Sequence, residues 1–336
     1  MSLDESDKQQ RGELSGDPKE GTKVVAVQVP RVLTAREILV SSAMRAMKRD
    51  SRDHCTMGHY KLDKITGGFR PGFVWVMGAD TSWGKSSFLI SVVDENMKRG
   101  KRCLIVSSED TEEVYGDRLM VRRARVDALR FRDKRLNAAE MATVLAVAEK
   151  GEPIPVFVDA ARWPIEKLVL HLDKIVKEQN IDLVAFDYLG EFKSEKRWQD
   201  ERVKFREISS IMRRVIKANK KTGIIFSQLT ITSDTKIPNK HNIRECRDVA
   251  NAAEGILMGF EPEIDVKRDP EPEIKAGTKC VFIDKVKNGP RGAKIAMDWD
   301  RDSACFNTVL DPDAQRAADI IGDQFDDFGD AQERYP

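Results

Sequence analysis

Nothing in this chain is apolar for long enough to cross a bilayer. Its opening stretch, MSLDESDKQQRGELSGDPKEGTK, mixes acidic and basic residues where a signal peptide would carry an apolar core. No membrane partner is expected, and the expected compartment is the cytoplasm, the host's if a phage encodes the chain. Close cysteine pairs are missing too. Cys55, Cys103, Cys246, Cys280 and Cys305 are scattered. They read as reduced thiols and exclude a zinc ribbon built on C-x-x-C pairs. Net charge is almost absent: Lys+Arg 57 against Asp+Glu 56 leaves +1, although 34% of residues are charged. Bulk charge therefore points to no nucleic-acid partner, and any basic surface must be local. There is no visible internal repeat.

What is present is enough for one large α/β domain with tails, or two small domains, in 336 residues. Residues 1–22 carry few apolar side chains and are expected to be disordered. Residues 23–53 read as a linker holding one helix, signalled by TAREILVSSAMRAMKR. There Thr34 and Glu37 form a capping box, and Ile38, Leu39, Ala43, Met44 and Met47 recur at helical spacing. Residues 54–310 form the main domain. Residues 311–336 hold eight carboxylates against two arginines and read as an acidic, mobile tail.

Within the main domain, apolar runs read as strands: FVWVMG, CLIVSS, IPVFVD, LVAFD, GIIFSQ, GILMGF, CVFIDKV and KIAMDW. Helical patterns at 85–99, 111–125, 137–150, 164–179 and 201–221 separate the earlier ones. Strands without polar alternation are buried on both faces, and strands interleaved with helices predict a mostly parallel sheet between helices. NGPRG joins the last two runs and predicts a C-terminal antiparallel hairpin.

The segment Ala79, Asp80, Thr81, Ser82, Trp83, Gly84, Lys85, Ser86, Ser87 lies between the first strand and a helix. Strand, small-residue loop, Gly-Lys-Ser and helix is the context of a phosphate-binding loop. Backbone N–H groups would face the phosphates of ATP, Lys85 would supply a point charge, and Ser86 would reach Mg²⁺. The bland alternative is a helix N-terminus with a chance Gly-Lys-Ser. Ligands of open α/β sheets bind at the carboxyl ends of strands. There stand Asp187, suited to organising Mg²⁺, Glu109, placed to polarise a water, and Gln228, able to sense a γ-phosphate. Read alone, each is also an ordinary strand-ending or solvated residue.

Taken in order, these segments resemble the DnaB-type hexameric replicative helicases in their RecA-like P-loop motor domain. ADTSWGKS is similar to the family's A-R-P-S-M-G-K-T, which explains why Ala79 stands where other phosphate loops have glycine. MGHYKLDKITGGFRPG resembles its lead-in, VSSEDTEEVYGDR its S-L-E-M segment, LVAFDYLG its I-V-I-D-Y-L-Q, IIFSQLT its A-L-S-Q-L, NIRECRDVANAAEGILM its D-L-R-E stretch, and DKVKNGPRG its K-Q-R-N-G-P hairpin. The resemblance implies Glu109 as catalytic glutamate, Asp187 as the Walker B aspartate and Gln228 as sensor. It places Lys285 and Lys287 where the family carries its trans-acting arginine finger and that finger's partner. A lysine keeps the charge but loses the bidentate fork, so Arg291 is a further candidate. Channel loops of the family contact DNA, which implies Lys193, Lys196, Arg197 and Trp198 in one loop and Lys236, Lys240 and Arg244 in another. Basic residues there would neutralise phosphates, and Trp198 would stack on a base.

The function so implied is an ATP- and Mg²⁺-dependent DNA helicase. It would be a homo-oligomer, a hexameric ring on single-stranded DNA and forked duplex, with a primase, polymerase or loader as candidate partners. Its linker helix would dock on a neighbouring subunit. About fifty residues precede the motor, so a motor without the family's N-terminal collar or primase domain is expected, as a phage or plasmid might encode. The alternative is an ATP-switched single-stranded-DNA-binding RecA-like protein, recombinase-like or a helicase loader, without unwinding. An idle paralogue is disfavoured by the intact Lys85, Ser86, Glu109 and Asp187 set.

Overall fold

A computed structural model describes residues 34–47, 54–230, 237–244, 247–262 and 277–312. The expected disordered start, most of the acidic tail and Lys236 lie outside these. The chain divides into two units, 1–50 and 51–336. In the first, α1 (Ala35–Met47) begins at the expected capping box. Glu37 N–H donates to Thr34 Oγ1 (3.2 Å), and Thr34 N–H donates back to Glu37 Oε2 (2.7 Å). Two amides that no helical carbonyl could serve are thereby paired. Ile38, Leu39, Val40 and Met44 are exposed along this helix.

The second unit opens with a short helix, α2 (Tyr60–Thr66), and then alternates: β1 (Val74–Ala79), α3 (Lys85–Lys98), β2 (Cys103–Ser107), α4 (Glu112–Ala124), α5 (Ala128–Arg132), α6 (Ala138–Glu149), β3 (Val156–Asp159), α7 (Ile165–Glu178), β4 (Leu183–Asp187), α8 (Glu201–Ala218) and β5 (Thr222–Gln228). It closes with α9 (Arg247–Ala252), β6 (Gly255–Phe260), β7 (Cys280–Val286), β8 (Lys294–Ala296), β9 (Trp299–Asp300) and β10 (Cys305–Phe306). β1 to β8 form one sheet in the order β3-β2-β4-β5-β1-β6-β7-β8. Its first six strands are parallel; β7 is antiparallel to β6 and to β8.

Successive side chains of a strand point to opposite faces, and both faces here are covered. Trp75 and Met77 of β1 pack with Phe88, Leu89 and Leu119 of α3 and α4. Val74 and Val76 of the same strand pack with Leu172, Phe205, Met212 and Ile216 of α7 and α8. This explains the unbroken apolar runs. Two details depart from the sequence reading. The run KIAMDW yields only three residues of β8; Trp299–Asp300 turns away to pair with Cys305–Phe306 in a separate ribbon. The helix expected to reach 221 stops at Ala218, because Lys220 takes a left-handed φ of 52° and turns the chain into β5. The expected hairpin is present, with Cys280 opposite Ala296 and Phe282 opposite Lys294.

Register assembles the candidate residues. Ala79 lies beside Gln228, and Ser107 beside Asp187. The carboxyl ends of β1, β2, β4 and β5 thus form one edge, although their residues are far apart in sequence.

Candidate nucleotide site

β1 delivers the chain into Asp80–Gly84, a tight loop closed by Trp83 N–H donating to Asp80 C=O (3.2 Å). Asp80 Oδ1 accepts from Thr81 N–H (2.8 Å). Gly84 sits at φ +101°, which disfavours any side chain, and its missing Cβ lies 3.4 Å from the Phe306 and Trp299 rings. α3 starts at Lys85 with no side-chain cap. An anion at the helix N-terminus would meet its first amides. Lys85 is buried, its Nζ 5.8 Å from the centre of the Tyr188 ring.

Ser86 and Asp187 meet at the centre. Ser86 Oγ donates to Asp187 Oδ2 (3.1 Å), and so does the hydroxyl of Tyr115 (2.5 Å), which reaches in from α4. Asp187 is fully buried, and its other oxygen, Oδ1, accepts no hydrogen bond among the described residues. A buried carboxylate oxygen left without a donor is costly unless a cation or water takes it. Together with the Ser86 hydroxyl it makes a set of hard oxygen ligands that fits Mg²⁺, which uses one or two protein oxygens beside phosphate and water. Burial pushes the Asp187 pKa up, against the pull of Tyr115, Ser86 and the Lys85 charge. Tyr115 is itself pushed well above the usual phenol range by burial and by that carboxylate.

Glu109 follows β2 at the open rim. Ser107 Oγ accepts from the backbone N–H groups of Glu109 (3.3 Å) and Asp110 (3.1 Å), which fixes the turn. Asp110 is held away by Arg118 (2.6 Å). Partial desolvation, then repulsion from Asp187 and Asp110, raises the Glu109 pKa, and Lys85 opposes them. Such a carboxylate is more basic than one in water.

Gln228 ends β5, and its Oε1 accepts from Arg244 Nη1 (2.8 Å), while Arg244 N–H donates to Gln228 C=O (3.0 Å). The candidate sensor is therefore tied directly to a residue of the second candidate DNA loop. The two line a cleft of about 440 Å³ with Tyr188, Glu191, Asp200 and Arg202.

Other expected residues lie around or away from this cluster. Trp83 contributes only backbone to the loop. Its ring is 1% exposed, packs on Phe88 and Phe306, and donates its Nε1–H to Phe260 C=O (3.2 Å). Trp198 is half-buried, its indole N–H bound to Ser194 Oγ (3.1 Å) and Lys196 Nζ 5.7 Å from its ring centre. Lys193, Lys196 and Arg197 are exposed beside it. Lys240 is anchored by its N–H to Asp284 Oδ2 (3.0 Å). Lys285 and Lys287 do not join the site at all. Lys285 pairs in register with Ile256, which lies beside Val76; Lys287 N–H donates to Glu254 C=O, and its Nζ lies 5.9 Å from the Phe73 ring centre. Lys285 is thus about 10 Å from the end of β1 at Ala79, at roughly 3.3 Å per residue, and Lys287, bonded to Glu254, lies beside the start of β1. Lys285 Nζ donates to Asn251 C=O (2.8 Å), and burial lowers its pKa. The sequence reading missed Tyr115. The only signal was an aromatic hydroxyl on the helix directly after Glu109.

Residues 55–308 match the family described as DnaB-like helicase C terminal domain. A probable replicative DNA helicase of Trieres chinensis is 25% identical over 256 residues, covering 74% of this chain and 56% of that protein. The replicative DNA helicase DnaB of Mycoplasma genitalium is 23% identical over 269 residues, covering 76% and 56%. The chain thus spans little more than half the length of these curated relatives. Among solved structures, one of an ATPase domain superposes with a TM-score of 0.72 at 19% identity, over 82% of this chain and 99% of that one. A DnaB-like replicative helicase, solved in a study of its interactions with primase, gives 0.70 at 18% identity, over 84% and 68%. The fold is that of RecA-like helicase ATPase domains.

Proposed function

We propose that this chain, which belongs to the DnaB-like helicase C-terminal domain family, is an ATP-driven motor that moves along single-stranded DNA as a ring and separates the duplex ahead of it. The observation that carries the nucleotide chemistry is the buried, half-satisfied Asp187 beside Ser86 at the foot of an uncapped Gly-Lys-Ser helix. ATP binds with its phosphates against the loop amides and Lys85. Ser86 Oγ and Asp187 Oδ1 would hold Mg²⁺, which would supply positive charge to offset that of the phosphates. Glu109 takes a proton from the water that attacks the γ-phosphate in line, a task its raised pKa favours. Gln228, bonded to Arg244, relays the state of the γ-phosphate to the second loop.

The separation of Lys285 and Lys287 from their own loop supports assembly: these lysines serve the phosphates of a neighbouring chain. The exposed apolar residues of α1 are the surface by which each chain docks on the next. DNA passes Lys193, Lys196 and Arg197 on one loop and Lys240, Arg244 and Lys236 on the other, paired through phosphates. Trp198, already engaged by Ser194 and Lys196, plays the smaller part. Primase, polymerase or a loader are the partners this role requires.

The test is ATP turnover with and without single-stranded DNA, run beside strand displacement on a forked duplex. Stimulated turnover with displacement is expected. Stimulated turnover without displacement would replace the helicase by an ATP-switched DNA-binding protein, and no turnover would end the nucleotide reading.

A further inference from the structure

Resting on that nucleotide reading, we infer that Lys279 is a positioning residue of the phosphate loop, acting from the side that nucleotide never touches. A loop whose N–H groups face an anion must turn carbonyls the other way, and a donor that takes such a carbonyl fixes how its peptide is turned. Ser82 C=O is such a group. Lys279 Nζ donates to it (3.2 Å) and to Glu261 Oε1 (2.8 Å), and lies 4.7 Å from the centre of the Trp299 ring. The lysine side chain is 8% exposed. An ammonium so buried is held by a carbonyl, a carboxylate and a ring face, and its position is fixed by all three.

The peptide it holds is the one that closes the loop. Ser82 C=O and Trp83 N–H belong to the same peptide plane. Lys279 grips the oxygen, while the N–H donates to Asp80 C=O. Fixing both ends sets the plane's rotation, and with it the direction of the chain entering Gly84. The next residue is anchored from the same quarter. Trp83 donates to Phe260 C=O, and its ring fills the space where a Cβ on Gly259 would stand, 2.5 Å from Trp83 Cδ2. The end of β6 and the start of β7 thus brace the loop from outside. Nothing in the motif spacing announces this, because Lys279 precedes a strand that reads simply as buried.

Mg²⁺ with a fluorescent N-methylanthraniloyl ADP is the probe, titrated onto the full chain. Lys279→Met keeps the aliphatic length and removes the donors. Binding is expected to weaken roughly 10- to 100-fold, the range for losing a hydrogen bond to a charged group. KM for ATP should rise by a similar factor, with kcat changed much less, because Glu109 and Asp187 are untouched. Lys279→Arg retains a donor and should recover most of the affinity. Ile295→Ala opens a cavity in β8, lowers stability without removing the Lys279 donor, and should leave nucleotide affinity as it was. A folded Lys279→Met that binds like the native chain overturns the inference, as does an equal loss in Ile295→Ala. Should Lys279→Met not fold, Lys279→Gln is read by the same outcomes. A native chain that binds no nucleotide overturns the nucleotide reading itself, and this inference with it.

Discussion

Tyr115→Phe removes one oxygen atom and isolates the hydrogen bond that holds Asp187. That bond is 2.5 Å long, both groups are buried, and the acceptor is charged when Mg²⁺ is bound. Bonds of this kind contribute about 1.5–3 kcal/mol, and roughly 1.4 kcal/mol is a factor of ten. The loss falls on the ionised carboxylate, because the phenol donates to it and gives little to a protonated acid. Burial already raises the Asp187 pKa, so metal-nucleotide affinity is full above that pKa and falls as pH drops through it. With Tyr115 gone the carboxylate holds its proton more tightly, and the fall moves to higher pH. On the acid side, Mg²⁺-nucleotide should therefore bind about 10- to 100-fold more weakly than to the native chain, with the gap narrowing as pH rises. Binding is the right assay, since turnover carries a second acid limb from Glu109. Coincident curves of affinity against pH for the two proteins would refute the claim that Tyr115 tunes the metal-holding carboxylate.

Lys85→Ala should abolish turnover, whereas Glu109→Gln should keep nucleotide affinity and lower turnover by about 10²–10⁴, the usual range for a lost general base; native turnover in Glu109→Gln would remove it from that role. Because the Glu109 pKa is raised, kcat should fall as pH drops through it, and a flat acid profile would argue against a carboxylate base. Deleting residues 1–50 should reduce assembled protein to monomers and depress ATP turnover, and an unchanged mass by light scattering would count against docking by α1.

Much of this architecture was legible because burial leaves a direct trace. Strands covered on both faces, such as Val74–Ala79 and Leu183–Asp187, show as apolar runs, and the residue ending each run lands on the edge where the site forms. What stayed hidden depends on contacts between distant segments. The short helices α2, α5 and α9 have five to seven residues, too few to show a helical period. Tyr115 looks like core, and it is core at 3% exposure; only its hydroxyl, brought beside β4, gives it a role. Trp83 sits in the loop by spacing, but the space that takes its ring is opened by Gly259, far along the chain. Trp198 reads as a free aromatic until Ser194 and Lys196 are seen against it.

The register that sets Lys285 and Lys287 back from the edge of the sheet that carries the phosphate loop has a genetic consequence. On the ring reading each working site is a hybrid, with its loop from one chain and its lysines from the next. A Lys85→Ala chain is then defective as a host of nucleotide but sound as a donor of lysines, and a Lys285→Ala/Lys287→Ala chain is the reverse. Each alone gives a dead ring. Mixed in equal amounts and reassembled at random, they regenerate roughly a quarter of the interfaces intact, so two inactive proteins complement each other in the same tube.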